Sequence, residues 1–320
     1  MADLVNIIMY HYVRELSRSR YPDIKGLLVN RFREHLELFD KSGRVVTGQD
    51  IVASQKGQHE LPNNAVWLTF DDGYSDHYDY VLPLLHEFGL KGTFFPPTKC
   101  IRDHVLLDVN AVHFILASTK NPLTIVDRLK KFIADAEPQE GLKAFESYWN
   151  ENATADRFDP AEIIFIKRML QHALPPALRR TVIDRLFSEF VSIDQSAFAE
   201  KLYLKPEQIR VMNDCGMEFG SHTHSHPWMD RVSADQQRVE LEISVGYLKE
   251  IGIPMRDWVM CFPYGASDQN ARLLASELGA SVGVGTEVRK ANLAKDDLMS
   301  LPRWDANDVS DRLFWDQGAR

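Results

Sequence analysis

Seven short apolar runs, each closed by a polar or glycine-rich turn and separated by helix-like stretches, constrain this chain most. The pattern predicts strands at Asn6–Tyr12, Ala65–Phe70, Gly92–Phe95, Met217–Gly220, Trp258–Phe262, Ser281–Gly285 and Ser300–Trp304. A strand that returns through a helix pairs in parallel with the next, and the helices cover the sheet. Seven such units suggest a closed sheet rather than an open one. The expected fold class is therefore α/β, a distorted (β/α)7-type barrel.

Helical periodicity runs over Phe32–Lys41 and again over Tyr78–Phe88, where Val81, Leu84, Leu85 and Phe88 share a face and Gly89 can end the helix. Ser233 and Gln236 form a capping-box signature for a helix through Leu248 to Gly252, and Ser267 is placed to start another that ends at Gly279. Residues 101–216 are rich in helix formers and punctuated by Pro122, Pro138, Pro160, Pro175, Pro176 and Pro206. The expected organisation is a single domain over residues 1–320 with a large helical insertion over 101–216. That insertion serves either to shield the core or to shape a substrate site as a lid.

At 320 residues the chain can bury a large core, and 44% apolar with 26% charged residues is a globular composition. A net charge of −9 without a basic run argues against nucleic acid as a partner. No run of about 18 apolar residues predicts a membrane span. The N-terminal stretch lacks a basic region and is interrupted by Tyr10-His11, so it does not read as a signal peptide. Cys100, Cys215 and Cys261 form no CxxC pair and read as reduced thiols, which makes a cytoplasmic location the expectation.

The reactive side chains cluster where the expected strands end. Tyr10-His11-Tyr12, Asp71-Asp72, His222 to His226, Pro263-Tyr264-Gly265 and Arg303 all fall at that edge, where parallel α/β folds place catalysis. Asp71-Asp72-Gly73 would ordinarily be a turn, but adjacent buried carboxylates repel and require a cation or a shared proton. Three imidazoles lie within five residues, and the spacing of His222 and His226 can bring both rings to one side of a tight loop. Pro227 disfavours helix at His226. One carboxylate with two histidines holds a divalent ion with an open position, and the second carboxylate is then available as a base. Metal-assisted hydrolysis is the chemistry that follows.

The chain resembles the polysaccharide deacetylase family, the NodB-homology, carbohydrate esterase family 4-like group. The resemblance is carried by Thr69-Phe70-Asp71-Asp72-Gly73-Tyr74, Gly92-Thr93-Phe94-Phe95, Glu218 through Pro227, and Phe262-Pro263-Tyr264-Gly265. It implies a NodB-like barrel that removes an N-acetyl group from an amino sugar or glycan intermediate. Asp72, His222 and His226 would be the ligands of a divalent metal, zinc or another first-row ion. Asp71 would be the general base, and the Tyr264 N–H would help hold the oxyanion. Tyr74, Pro263 and His224 are candidate substrate contacts.

Two departures from the family pattern matter. Cys261 stands where an arginine is common, and no histidine follows His226 to supply the acid that protonates the leaving amine. A permuted subgroup carries that histidine on an N-terminal strand, and Met9-Tyr10-His11-Tyr12-Val13 is similar to it. His11 is therefore the expected acid. Arg303 is the candidate for the missing arginine, placed to pair with Asp71 and orient it. Cys261 reads as core packing. The alternatives are hydrolysis of an O-acetyl ester, an N-formyl group or a cyclic amide, or a catalytically silent sugar-binding homologue.

Overall fold

The computed structural model describes residues 4–42, 44–136, 141–156 and 159–309. The chain divides into two compact units. One takes in residues 1–15, 26–104 and 200–320, and the other residues 16–25 and 105–199.

The first unit is built on seven mainly parallel strands: β1 (Leu4–Tyr10), β2 (Ala65–Asp71), β3 (Thr93–Phe95), β4 (Glu218–Phe219), β5 (Trp258–Cys261), β6 (Ala280–Val284) and β7 (Trp304–Asp305). β1 pairs in parallel with β2, β2 with β3, β3 with β4, and β5 with β6. Two single parallel bridges, Ser221 to Met260 and Val284 to Leu301, join β4 to β5 and β6 to the segment leading into β7. β7 then pairs with β1, Ile8 opposite Trp304. Followed in this order, the pairings return to their starting strand, and the closure is thin at the two single bridges.

Strand alternation divides the core in two. Val66, Leu68, Phe70, Phe94 and Met260 pack against helices such as α1 (Val29–Ser42) and α2 (Ala234–Glu250), through Phe32, Leu36, Leu241 and Leu248. The opposite parity, Val5, Ile7, Ala65, Trp67, Val259, Cys261, Val282 and Leu301, packs strand against strand and onto Ile51 and Val52 of the Gly48–Gln55 helix. Because side chains alternate with a period of two, extending the second set along each strand leads to Thr69, Asp71, His11 and Arg303. The site is thus the polar continuation of the apolar interior.

Local signals account for most boundaries. Ser233 and Gln236 cap α2 reciprocally as expected, whereas the next helix starts at Asp268, whose carboxylate accepts from Ala271 N, and not at Ser267. The single helix expected over Tyr78–Phe88 is a wide π-turn, His77–Val81, followed by a short α-helix over Leu82–Glu87. Pro83 sits at that junction and has no N–H to continue the regular ladder. Arg303 precedes β7 rather than ending a strand, because pairing resumes only at Trp304 after the Leu301 bridge.

Gly220 marks the thin seam between β4 and β5. A Cβ there would meet the Val259 carbonyl oxygen at 2.2 Å and the Phe95 ring at 2.7 Å. The carbonyl accepts the Ser221 N–H at 3.1 Å, so it cannot yield without opening that bridge. Gly220→Ala is therefore expected to destabilise the protein by about 1–3 kcal/mol, measured by denaturant unfolding; an unchanged midpoint would show that the seam tolerates extra volume.

The second unit is helical. Asp108–Ala117, Leu123–Asp135 and Pro176–Phe190 bury Val112, Ile115, Leu129, Val182, Leu186 and Phe187. Residues 16–25 join it through Tyr21, which packs edge-on against Phe114 at 5.1 Å and donates its hydroxyl to the Val191 carbonyl. Lys25 and Lys167 both hold the buried Asp159, at 2.6 and 2.7 Å. Among the described residues no helix is long and apolar enough to cross a membrane.

Candidate active site

β2 ends in two left-handed residues, Asp72 at φ 69° and Gly73 at φ 62°. A Cβ on Gly73 would strike Pro96 at 2.6 Å, so the turn needs glycine there. Asp72 adopts the same region with a side chain, a strained conformation of the kind that collects at functional sites. The Tyr74 hydroxyl donates to Asp72 Oδ2. Tyr74 in turn lies beneath Tyr12, ring centroids 3.9 Å apart. Tyr74, a candidate sugar contact in the sequence, is fully buried in this structure with its hydroxyl on the Asp72 carboxylate.

Asp72 Oδ1 is thereby left facing the imidazoles. It lies 3.5 Å from His222 Nε2 and 3.5 Å from His226 Nε2. The three donor atoms all fall within 4.8 Å of one another. Ligands about 2.0–2.1 Å from a tetrahedral zinc ion stand about 3.3 Å apart, so the residues present fit a divalent cation. His222 Nδ1 is bonded at 2.7 Å to the Cys261 carbonyl, which selects the tautomer that turns Nε2 inward. Burial opposes a proton on either ring. At His226 it prevails and lowers the pKa to about 3, while at His222 it is outweighed by Cys261 and Asp72, which raise the pKa.

The loop bearing these rings is tightly held. Thr223 and His226 have positive φ, at 63° and 62°, and His226 N donates to Thr223 Oγ1. Glu240, on α2, takes the N–H groups of His224 and Ser225 at 2.9 and 2.7 Å. His224 points out of the cluster: its Nδ1 meets Thr98 Oγ1 at 3.0 Å and its Nε2 lies 3.4 Å from Arg102.

Asp71 is gripped from below. Arg303, wholly buried, places Nη1 at 2.8 Å from Oδ1 and Nη2 at 2.7 Å from Oδ2. Its remaining donors reach the Gly285 carbonyl, Thr69 Oγ1 and Cys261 Sγ. Burial raises the Asp71 pKa, but the guanidinium outweighs it and brings the value down to about 2. On the open side, His11 Nε2 stands 3.9 Å from Asp71 Oδ2 with its side chain 41% exposed. The His11 carbonyl is bonded to His77 Nε2 at 2.9 Å, which fixes the backbone rather than the ring. Pro263 is buried, and Tyr264 occupies a left-handed turn at φ 59°.

The structure therefore gathers Asp71, Asp72, His222, His226, His11 and Arg303, and separates Tyr74 and His224 from the open face. Thr69, Glu240 and Trp228 also belong to the site's framework, Thr69 within the Thr69–Tyr74 motif and the other two outside any motif.

Solved structures share this architecture. A Streptococcus pyogenes deacetylase, PplD, in complex with acetate aligns with a TM-score of 0.57 at 19% identity, covering 94% of this chain and 92% of that one. The deacetylase domain of BpsB from Bordetella bronchiseptica gives 0.54 at 16% identity, covering 95% and 96%. IcaB from Ammonifex degensii gives 0.54 at 16% identity, covering 97% and 93%. At such identities the likeness is one of fold, and it bears out the NodB-like α/β class. In sequence, YxkH of Bacillus subtilis (strain 168), which bears a polysaccharide deacetylase name, is 29% identical over 96 residues, 30% of this chain and 32% of that protein. The match thus spans about a third of that relative. The profile of the family described as polysaccharide deacetylase matches residues 58–135 and 181–283, more than half of the sequence, and the chain belongs to that family.

Proposed function

We propose that this chain is a metal-dependent hydrolase that removes the N-acetyl group of an amino sugar or glycan intermediate. The observation that carries the reading is the convergence of the Asp72, His222 and His226 donor atoms beside an Asp71 clamped by Arg303. A divalent ion held by those three residues, zinc or another first-row metal, would supply Lewis acidity to the acyl carbonyl and to water.

The chain's own groups do the rest. Asp71, ionised through its contact with Arg303, accepts the proton of the attacking water at the carboxylate face turned toward His11. The water oxygen bonds to the acetyl carbon. The Tyr264 N–H, on a turn held in one backbone conformation, donates to the oxygen that gains charge. As the carbon–nitrogen bond breaks, protonated His11 gives its proton to the departing nitrogen, and acetate and a free amine result. In this reading residues 1–320 form one catalytic domain, with the helical segment as an insertion in it. Free Cys100, Cys215 and Cys261 suit a reducing compartment, and so a nucleotide-linked, lipid-linked or free sugar rather than mature wall polymer.

The test is acid release by metal-reconstituted protein from N-acetyl, N-formyl and O-acetyl sugars. Acetate from the N-acetyl substrate is expected; opening of a cyclic amide with no acid from any acyl sugar would overturn the assignment. His11→Ala is expected to lower kcat about 10²-fold while metal content stays at the wild-type level. Unchanged turnover would remove His11 from the acid role.

A further inference from the structure

Three contacts lead outward from His226. The Tyr264 ring meets its imidazole edge-on at 4.7 Å. Trp228 lies on Tyr264 at 4.3 Å, the two planes within 7°. The Arg231 guanidinium covers the indole at 4.3 Å. Trp228 and Arg231 follow the histidine loop directly, and Tyr264 is supplied by the Pro263–Gly265 turn. Met229–Arg231 form a 3-10 turn that folds Arg231 back over Trp228, and buried Met229 anchors the turn with its carbonyl bonded to Gln237 Nε2 at 2.6 Å.

Arg20 over Tyr21, Arg185 over Phe132 and Arg231 over Trp228 are exposed arginines on aromatic faces, and Arg231 lies nearest its ring, at 4.3 Å against 5.4 and 5.7 Å. Arg33, Arg102 and Arg289 each hold a carboxylate. No acidic side chain among the described residues lies in ion-pair range of Arg231. Its planar fork, ordered by stacking on an aromatic face, is suited to bidentate recognition of phosphate or carboxylate. In a chain of net charge −9, this guanidinium puts positive charge at the outer end of a column that begins at His226.

We propose that Arg231, held on the Trp228–Tyr264 stack, recognises a phosphate or carboxylate group carried by the acylated amino sugar and so selects anionic substrates. The inference rests on the deacetylase reading above and names the substrate class within it. Stacking lowers the entropy lost when the anion binds, because the guanidinium is already oriented. The contact is exposed, so its contribution falls as salt screens it.

Acetate release by the metal-loaded protein would be compared for N-acetylglucosamine 1-phosphate, N-acetylmuramic acid and uncharged N-acetylglucosamine. The wild type is expected to prefer one or both anionic sugars, which identifies whether phosphate or carboxylate is read. Arg231→Gln is expected to reduce the anionic-to-neutral ratio of kcat/KM about tenfold, through KM. Arg231→Lys should restore part of it, and added salt should erode the wild-type preference. A wild type without preference, or a ratio unchanged in Arg231→Gln, overturns the proposal. Calorimetric binding of N-acetylglucosamine 1-phosphate and N-acetylmuramic acid separates the two readings. Binding lost in Arg231→Gln, in a protein that releases no acetate, would keep the anion handle and sink the deacetylase. Equal binding of both sugars to wild type and variant sinks the handle whatever the turnover.

Discussion

Arg303→Met is expected to cost about 3–5 kcal/mol of stability and to abolish measurable turnover. The guanidinium is fully buried and satisfies both oxygens of Asp71, itself buried, as well as the Gly285 carbonyl. Methionine fills much of the same volume but leaves the buried Asp71 carboxylate without its guanidinium countercharge. That carboxylate must then take up a proton or draw in water, and in either state it ceases to be an oriented base. The double variant Asp71→Leu/Arg303→Met separates the two consequences. Removing both charges is expected to recover most of the lost stability and none of the activity. Denaturant midpoints for the wild type, both single variants and the pair give the coupling directly. Additive losses would mean that the pair does not act as a unit.

Asp71→Asn is expected to lower kcat by about 10²–10⁴-fold, read per mole of folded, metal-loaded protein. The amide keeps the shape and a hydrogen bond to Arg303 but has no charge with which to accept a proton. The same change at Asp72 has a different signature, because it removes the oxygen that faces His222 and His226 at 3.5 Å. Metal content should therefore survive in Asp71→Asn and fall in Asp72→Asn. Should Asp71→Asn lose the metal while Asp72→Asn retains it, the two carboxylates would have to exchange roles.

The resemblance and the strand pattern together made the site legible because both report on strand ends. The runs through Ala65–Asp71 and Trp258–Cys261 are apolar on both faces, as strands buried between helices and a packed interior must be. Their alternation carries Asp71 inward without any need of a motif. The seam residues were harder to read. Leu301 and Trp304 pair with different strands, so no continuous run marks where Arg303 sits. The Thr47–Asp50 capping box, with the same spacing as Ser233 and Gln236, starts the helix beneath the interior. Glu240 acts through a contact that follows from tertiary folding alone, a carboxylate reaching back from α2, whereas the Tyr74 phenol bonds the Asp72 carboxylate two residues before it.

The Asp71–Arg303 pair joins residues 232 positions apart. At a synthesis rate of about 5–20 residues per second, roughly ten to fifty seconds separate the appearance of the acid from that of its partner. Throughout that interval Asp71 is better off in water than in a closed interior, so the nascent barrel has an electrostatic reason to stay open. Closure and catalytic competence then arrive together, with the strand that brings Arg303. A ribosome-bound chain halted before that residue should remain protease-sensitive around β2 and inert towards substrate, a safeguard against premature action that needs no separate inhibitor.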